Sequence, residues 1–134
     1  MSYAHNHSFK SKQDTNISNP SLRVTNPFIK EVSMIIDKNL DNEFFDVPSL
    51  ARQVHMSVSQ LNRKLKIIIN LPAGKLIQRF RMEHAAMLLV QSQDSVAQIA
   101  CQVGFLNQAH FCRAFKRVYD STPSCFRKRY CLVK

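Results

Sequence analysis

Arg63 and Arg113 lie in two stretches whose residue types recur at nearly fixed spacing. Residues 54–66 read VHMSVSQLNRKLK and residues 103–117 read VGFLNQAHFCRAFKR. Each stretch holds a residue fit to cap a helix, Ser57 or Asn107, followed by small or amide-bearing residues, an arginine and further cations. Such groups suit the recognition of a polyanion that carries information along an edge. A guanidinium can bind guanine through two hydrogen bonds, a carboxamide can do the same with adenine, and a small side chain can approach a thymine methyl. Lysines further along would meet phosphates, which fixes affinity and register without choosing sequence.

Those side chains need elements to hold them, and the pattern supplies the same elements twice. Leu50, Ala51 and Val54 correspond to Ile99, Ala100 and Val103 at an offset of 49. After one inserted residue, Ser57, Leu61, Arg63, Leu65 and Lys66 correspond to Asn107, Phe111, Arg113, Phe115 and Lys116 at an offset of 50. Each copy reads as a short helix, a tight turn and a capped second helix, the layout of a helix-turn-helix. Ala51 and Ala100 fall where two helices cross closely. The turn position, His55 or Gly104, calls for positive φ, which glycine adopts freely and histidine more readily than most residues.

Along the rest of the chain the apolar period is helical throughout. Residues 1–25 are polar and read as a flexible tail or linker stub. Asn26-Pro27 opens a helix to about residue 39, with Phe28, Val32, Ile35, Ile36 and Leu40 on one stripe. Asp46 caps the next helix, so the first helix-turn-helix spans about 46–69. A connecting helix is expected over about 73–91, with Leu76, Ile77, Phe80, Ala85, Leu88 and Leu89 as its stripe. Ser95 with Gln98 forms a capping box that opens the second helix-turn-helix, about 95–119. Thr122-Pro123 starts a last helix over about 123–130. The expected fold is all-α, about seven helices, with two helix-turn-helix subdomains joined by the long connecting helix.

The totals agree with an anionic partner. The 134 residues carry 19 Lys+Arg against 9 Asp+Glu, a formal net charge of +10, and 45% hydrophobic residues allow a real core. No apolar run is long enough to span a membrane and no secretory signal opens the chain, so the expected location is the cytoplasm. The four cysteines, Cys101, Cys112, Cys125 and Cys131, contain no CxxC pair and read as free thiols, with no metal site. The few carboxylates are scattered, and no Gly-rich phosphate loop or nucleophile motif is present. Neither an enzyme nor a cofactor is therefore expected, and no small-molecule site is visible.

From about residue 28 to 130 the chain resembles the DNA-binding domain of AraC/XylS-type transcription regulators. LARQVHMSVSQLNRKLK resembles the first helix-turn-helix of that family and RFRMEHAAMLL its connecting helix. IACQVGFLNQAHFCRAFKRVYDSTPSCFRK resembles the more diagnostic second one. Three positions where such proteins commonly carry glycine read His55, Asn70 and Asp120, and the usual Ser-Pro opening of the connecting helix reads Pro72-Ala73, with Gly74 following.

The resemblance implies sequence-specific binding of double-stranded DNA and regulation of transcription, commonly activation through RNA polymerase. It places Ser59, Asn62 and Arg63 on the first reading helix, and Gln108, Ala109, Cys112 and Arg113 on the second, as the groups nearest base edges. The count of helical turns from Ser57 adds Gln60 to the base-reading set. Lys64, Lys66, Lys116 and Arg117 would contact phosphates, with Arg127, Lys128 and Arg129 adding to the field. At 1.5 Å per residue the connecting helix would span on the order of 28 Å. Both readers on one chain could then enter successive major-groove segments, where ordinary helix-turn-helix proteins need a dimer to do so. Three alternatives stand beside this reading: an output module of a larger sensor or two-component regulator, a basic RNA binder, and a protein-interaction adaptor.

Overall fold

The computed structural model describes residues 26–131, and the tail expected over residues 1–25 lies outside them. Among the described residues seven helices follow one another and no strand occurs. They are α1 (Pro27–Lys38), α2 (Val47–Gln53), α3 (Val58–Ile69), α4 (Ala73–Gln91), α5 (Val96–Gln102), α6 (Gln108–Tyr119) and α7 (Pro123–Tyr130).

Most helices begin where a short polar side chain can satisfy an orphan backbone N–H. Asn26 Oδ1 accepts from the Ile29 N–H at 3.0 Å, and Pro27 follows as the first helical residue of α1. Asp46 Oδ1 accepts from both the N–H and the hydroxyl of Ser49, at 3.0 and 2.7 Å. These two bonds, the hydroxyl one first, hold the Asp46 carboxyl below its ordinary pKa. Ser57 with Gln60 and Ser95 with Gln98 form full capping boxes at α3 and α5. Asn107 caps α6 through the His110 N–H, and Thr122 caps α7 through the Cys125 N–H.

The turn of each helix-turn-helix closes by the same two backbone bonds. Met56 N–H donates to Ala51 O at 3.0 Å and His55 N–H to Arg52 O at 3.1 Å. In the second copy Phe105 N–H donates to Ala100 O at 2.9 Å and Gly104 N–H to Cys101 O at 3.1 Å. This pair is the Schellman arrangement, and it needs a left-handed residue in the middle. His55 supplies it at φ 60° and Gly104 at φ 86°, as the repeat requires. Asn70 (φ 57°) and Asp120 (φ 61°) end α3 and α6 in the same region, so all three non-glycine substitutes adopt the backbone of the residue they stand for.

The chain divides between Phe80 and Arg81 into two compact units. In the N-terminal unit α1 packs on α2 and α2 on α3. Its core gathers Ile29, Val32, Ile36, Leu50, Ala51, Leu61, Leu65, Ile69 and the first half of α4 through Ala73, Leu76, Ile77 and Phe80. In the C-terminal unit α5 packs on α6 and α6 on α7. Its core gathers the second half of α4, from Met82 to Val90, with Ile99, Ala100, Val103, Phe111, Phe115 and Phe126. Rings run through it: Phe111 meets Phe115 at 5.9 Å between centroids, and Phe115 meets Phe126 edge-on at 5.2 Å. Both crossing alanines are buried at 2% exposure, which fits their place at a close helix approach.

Candidate nucleic-acid interface

Each reading helix buries one stripe and leaves the opposite one to solvent. On α3, Leu61, Leu65 and Ile69 are buried while Ser59, Gln60, Arg63, Lys64 and Lys66 are exposed. On α6, Phe111, Ala114, Phe115 and Val118 are buried while Gln108, Ala109, Arg113, Lys116 and Arg117 are exposed. Arg63 and Arg113 thus occupy equivalent exposed positions in their own units. Among the described residues neither has a hydrogen bond, ion pair or ring contact. An unpaired guanidinium on an exposed helix face keeps its five donors for an external acceptor.

Four of the expected contact residues are partly committed within the protein. Asn62 is half-buried, and its Oδ1 accepts the Ala73 N–H of α4 at 2.8 Å. That bond takes up one lone pair of the oxygen that a bidentate contact with adenine would use, and leaves the amide nitrogen as the external donor of Asn62. Gln60 Oε1 accepts the Ser57 N–H at 2.9 Å, which leaves the amide nitrogen as its external donor. Cys112 is half-buried against the C-terminal core. Lys64 places its ammonium 4.3 Å from the centre of the Phe28 ring, a cation–π contact that ties α3 to α1. Lys66, Lys116 and Arg117 lie in the last turns of their helices, where cations also meet the negative end of the helix dipole.

The support beneath these faces includes residues that pattern reading missed. Arg81 is buried, and its Nη1 donates to the carbonyl of Val103, the C-cap of α5, at 2.8 Å. Arg127, expected to join a basic field, instead donates from Nε to Leu89 O at 2.9 Å and from Nη2 to Ser92 O at 3.1 Å. The signal for Arg81 was available: an arginine inside the apolar run RFRMEHAAMLL must find an acceptor or remain costly to bury. His110 packs its ring edge-on against Phe105 at 5.3 Å. A surface depression on the N-terminal unit is lined by His55, Met56, Gln60, Arg63, Lys64 and Ile67, and Ile67 is 78% exposed.

Residues 50–129 match a family model described as a helix-turn-helix domain. The chain is 32% identical over 102 residues to a histidine kinase P4 of Formosa agariphila, covering 76% of this chain and 7% of the kinase. It spans 28% and 32% of two further curated relatives, both HTH-type transcriptional regulators. Among solved structures it is similar to a transcriptional regulator of Chromobacterium violaceum whose description includes an AraC-type DNA-binding domain. That likeness has a TM-score of 0.72 at 25% identity, over 81% of this chain and 96% of that one. It is similar too to the DNA-binding domain of AdpA, a global transcriptional factor, in complex with a target DNA. There the TM-score is 0.70 and the identity 27%, over 75% of this chain and 90% of that one.

Proposed function

This chain belongs to the AraC-type helix-turn-helix family, and on that premise we propose that it binds double-stranded DNA sequence-specifically and regulates transcription as an activator. Its two reading helices, α3 and α6, enter successive major-groove segments. The observation that carries the reading is the recurrence of Arg63 as Arg113: equivalent positions of a repeat, both exposed, both without a partner among the described residues. Guanine is their fitting acceptor, through O6 and N7. Ser59 and Gln60 on α3, and Gln108, Ala109 and Cys112 on α6, flank those arginines and tune the choice of neighbouring bases. Lys66, Lys116 and Arg117 hold phosphates. RNA polymerase is the second partner that activation implies.

Basic helices alone would also suit RNA or an acidic protein, but a duplicated arginine on two groove-sized helices favours duplex DNA. Selection of bound duplexes from a random pool tests the proposal. One asymmetric motif covering about two helical turns is expected. Enrichment of a short motif would mean that one unit reads alone, and equal affinity for single strands, RNA and arbitrary duplexes would remove the proposal.

A further inference from the structure

We infer that Asn62 is a positioning residue: it is the borrowed N-cap of the connecting helix, fixing the start of α4 against the reading helix α3. The inference refines the DNA-binding proposal, and only its base-preference arm depends on that proposal.

The two copies of the repeat make the case by their differences. At the offset of 50, Asn62, Pro72 and Ala73 correspond to Cys112, Thr122 and Pro123. In the second copy Thr122 caps α7 with its own side chain, accepting the Cys125 N–H at 3.3 Å, and Pro123 has no N–H to satisfy. In the first copy the cap position is Pro72, whose ring carries no acceptor, and the next residue, Ala73, does carry an N–H. Ala73 is fully buried, so water cannot serve that donor. Asn62 reaches across from α3 and accepts it at 2.8 Å. The acceptor is present in the copy that has the donor. In the copy without it, a cysteine occupies the place and lies against the core.

The bond joins two helices that only residues 70–72 separate and that share one core, adding a polar tie to their apolar packing. Asn62 lies in the middle of α3, one residue before Arg63, and Ala73 is the first residue of α4. Between them the chain leaves α3 through the left-handed Asn70. The side-chain bond therefore closes a loop at its base, and it fixes the part of α3 from which Arg63 projects.

The test exchanges the two capping solutions in the full chain under reducing conditions. Asn62→Cys should lower the melting midpoint and speed amide exchange at Ala73 by about tenfold or more, the mark of a freed N–H. Asn62→Asp keeps the acceptor and should restore both. Adding Pro72→Thr and Ala73→Pro to Asn62→Cys copies the second repeat, and should regain the midpoint with the selected DNA motif unchanged. Unaltered melting and Ala73 exchange in Asn62→Cys would overturn the inference. So would a triple variant that recovers its stability but loses preference at one base. If no duplex is preferred by the unaltered chain, the DNA-binding proposal fails while melting and exchange still decide the role of Asn62.

Discussion

Arg113 projects from α6 two residues beyond the fully buried Phe111, so its backbone is anchored while its guanidinium has no partner among the described residues. Replacing it with alanine removes no core contact. We expect Arg113→Ala to weaken binding to the selected duplex by about 1–3 kcal/mol and to flatten preference at one base position. The thermal midpoint should stay unchanged by circular dichroism. Equal affinity of variant and parent for selected and altered duplexes would remove α6 as a reader. The exposure of Ser59, Arg63, Gln108 and Arg113 was legible in the sequence because it follows from counting helical turns from Ser57 and Asn107. The commitments of Asn62 and Lys64 were not. Their partners, Ala73 and Phe28, lie outside α3, and tertiary approach of that kind leaves no periodic trace.

At the scale of elements, caps explain why the helix starts could be read from short polar residues. Asn26, Asp46, Ser57, Ser95, Asn107 and Thr122 all accept backbone N–H groups of the helices they precede. Asp46 adds a pH dependence. Its bonds to Ser49 favour the charged carboxylate and lower its pKa from the ordinary 3.8. The stabilisation is present above that value and is lost as pH falls through the lower folded-state pKa. Asp46→Asn, which still accepts but does not titrate, should lose stability less steeply between about pH 5 and about pH 2. Parallel curves from circular dichroism would show that the cap charge contributes nothing. The connecting helix was harder to read. Its apolar residues read as one stripe, but Ala73, Leu76, Ile77 and Phe80 join one core while Met82, Ala85, Ala86, Leu89 and Val90 join the other. A single period cannot describe a helix that serves two interiors in turn.

For the whole molecule the dominant quantity is the net charge of +10. Each phosphate neutralised should contribute about 0.9 to the slope of log affinity against log salt. Lys116→Ala should therefore reduce that slope by about one and weaken selected and scrambled duplexes alike, which isothermal titrations over a salt series would measure. A loss confined to the selected duplex would instead make Lys116 a base reader. The duplicated architecture was legible because each copy preserves its cap, its crossing alanine and its left-handed turn. That Arg81 must find an acceptor was legible from its apolar surroundings, but which carbonyls Arg81 and Arg127 clip was not, since a backbone carbonyl is the same acceptor whatever residue bears it. The division of α4 at Phe80 also bears on how the protein is made. Once the ribosome has released Phe80, every buried side chain of the first core has been synthesised, and that module can settle during translation while the second groove-reading unit is still being assembled.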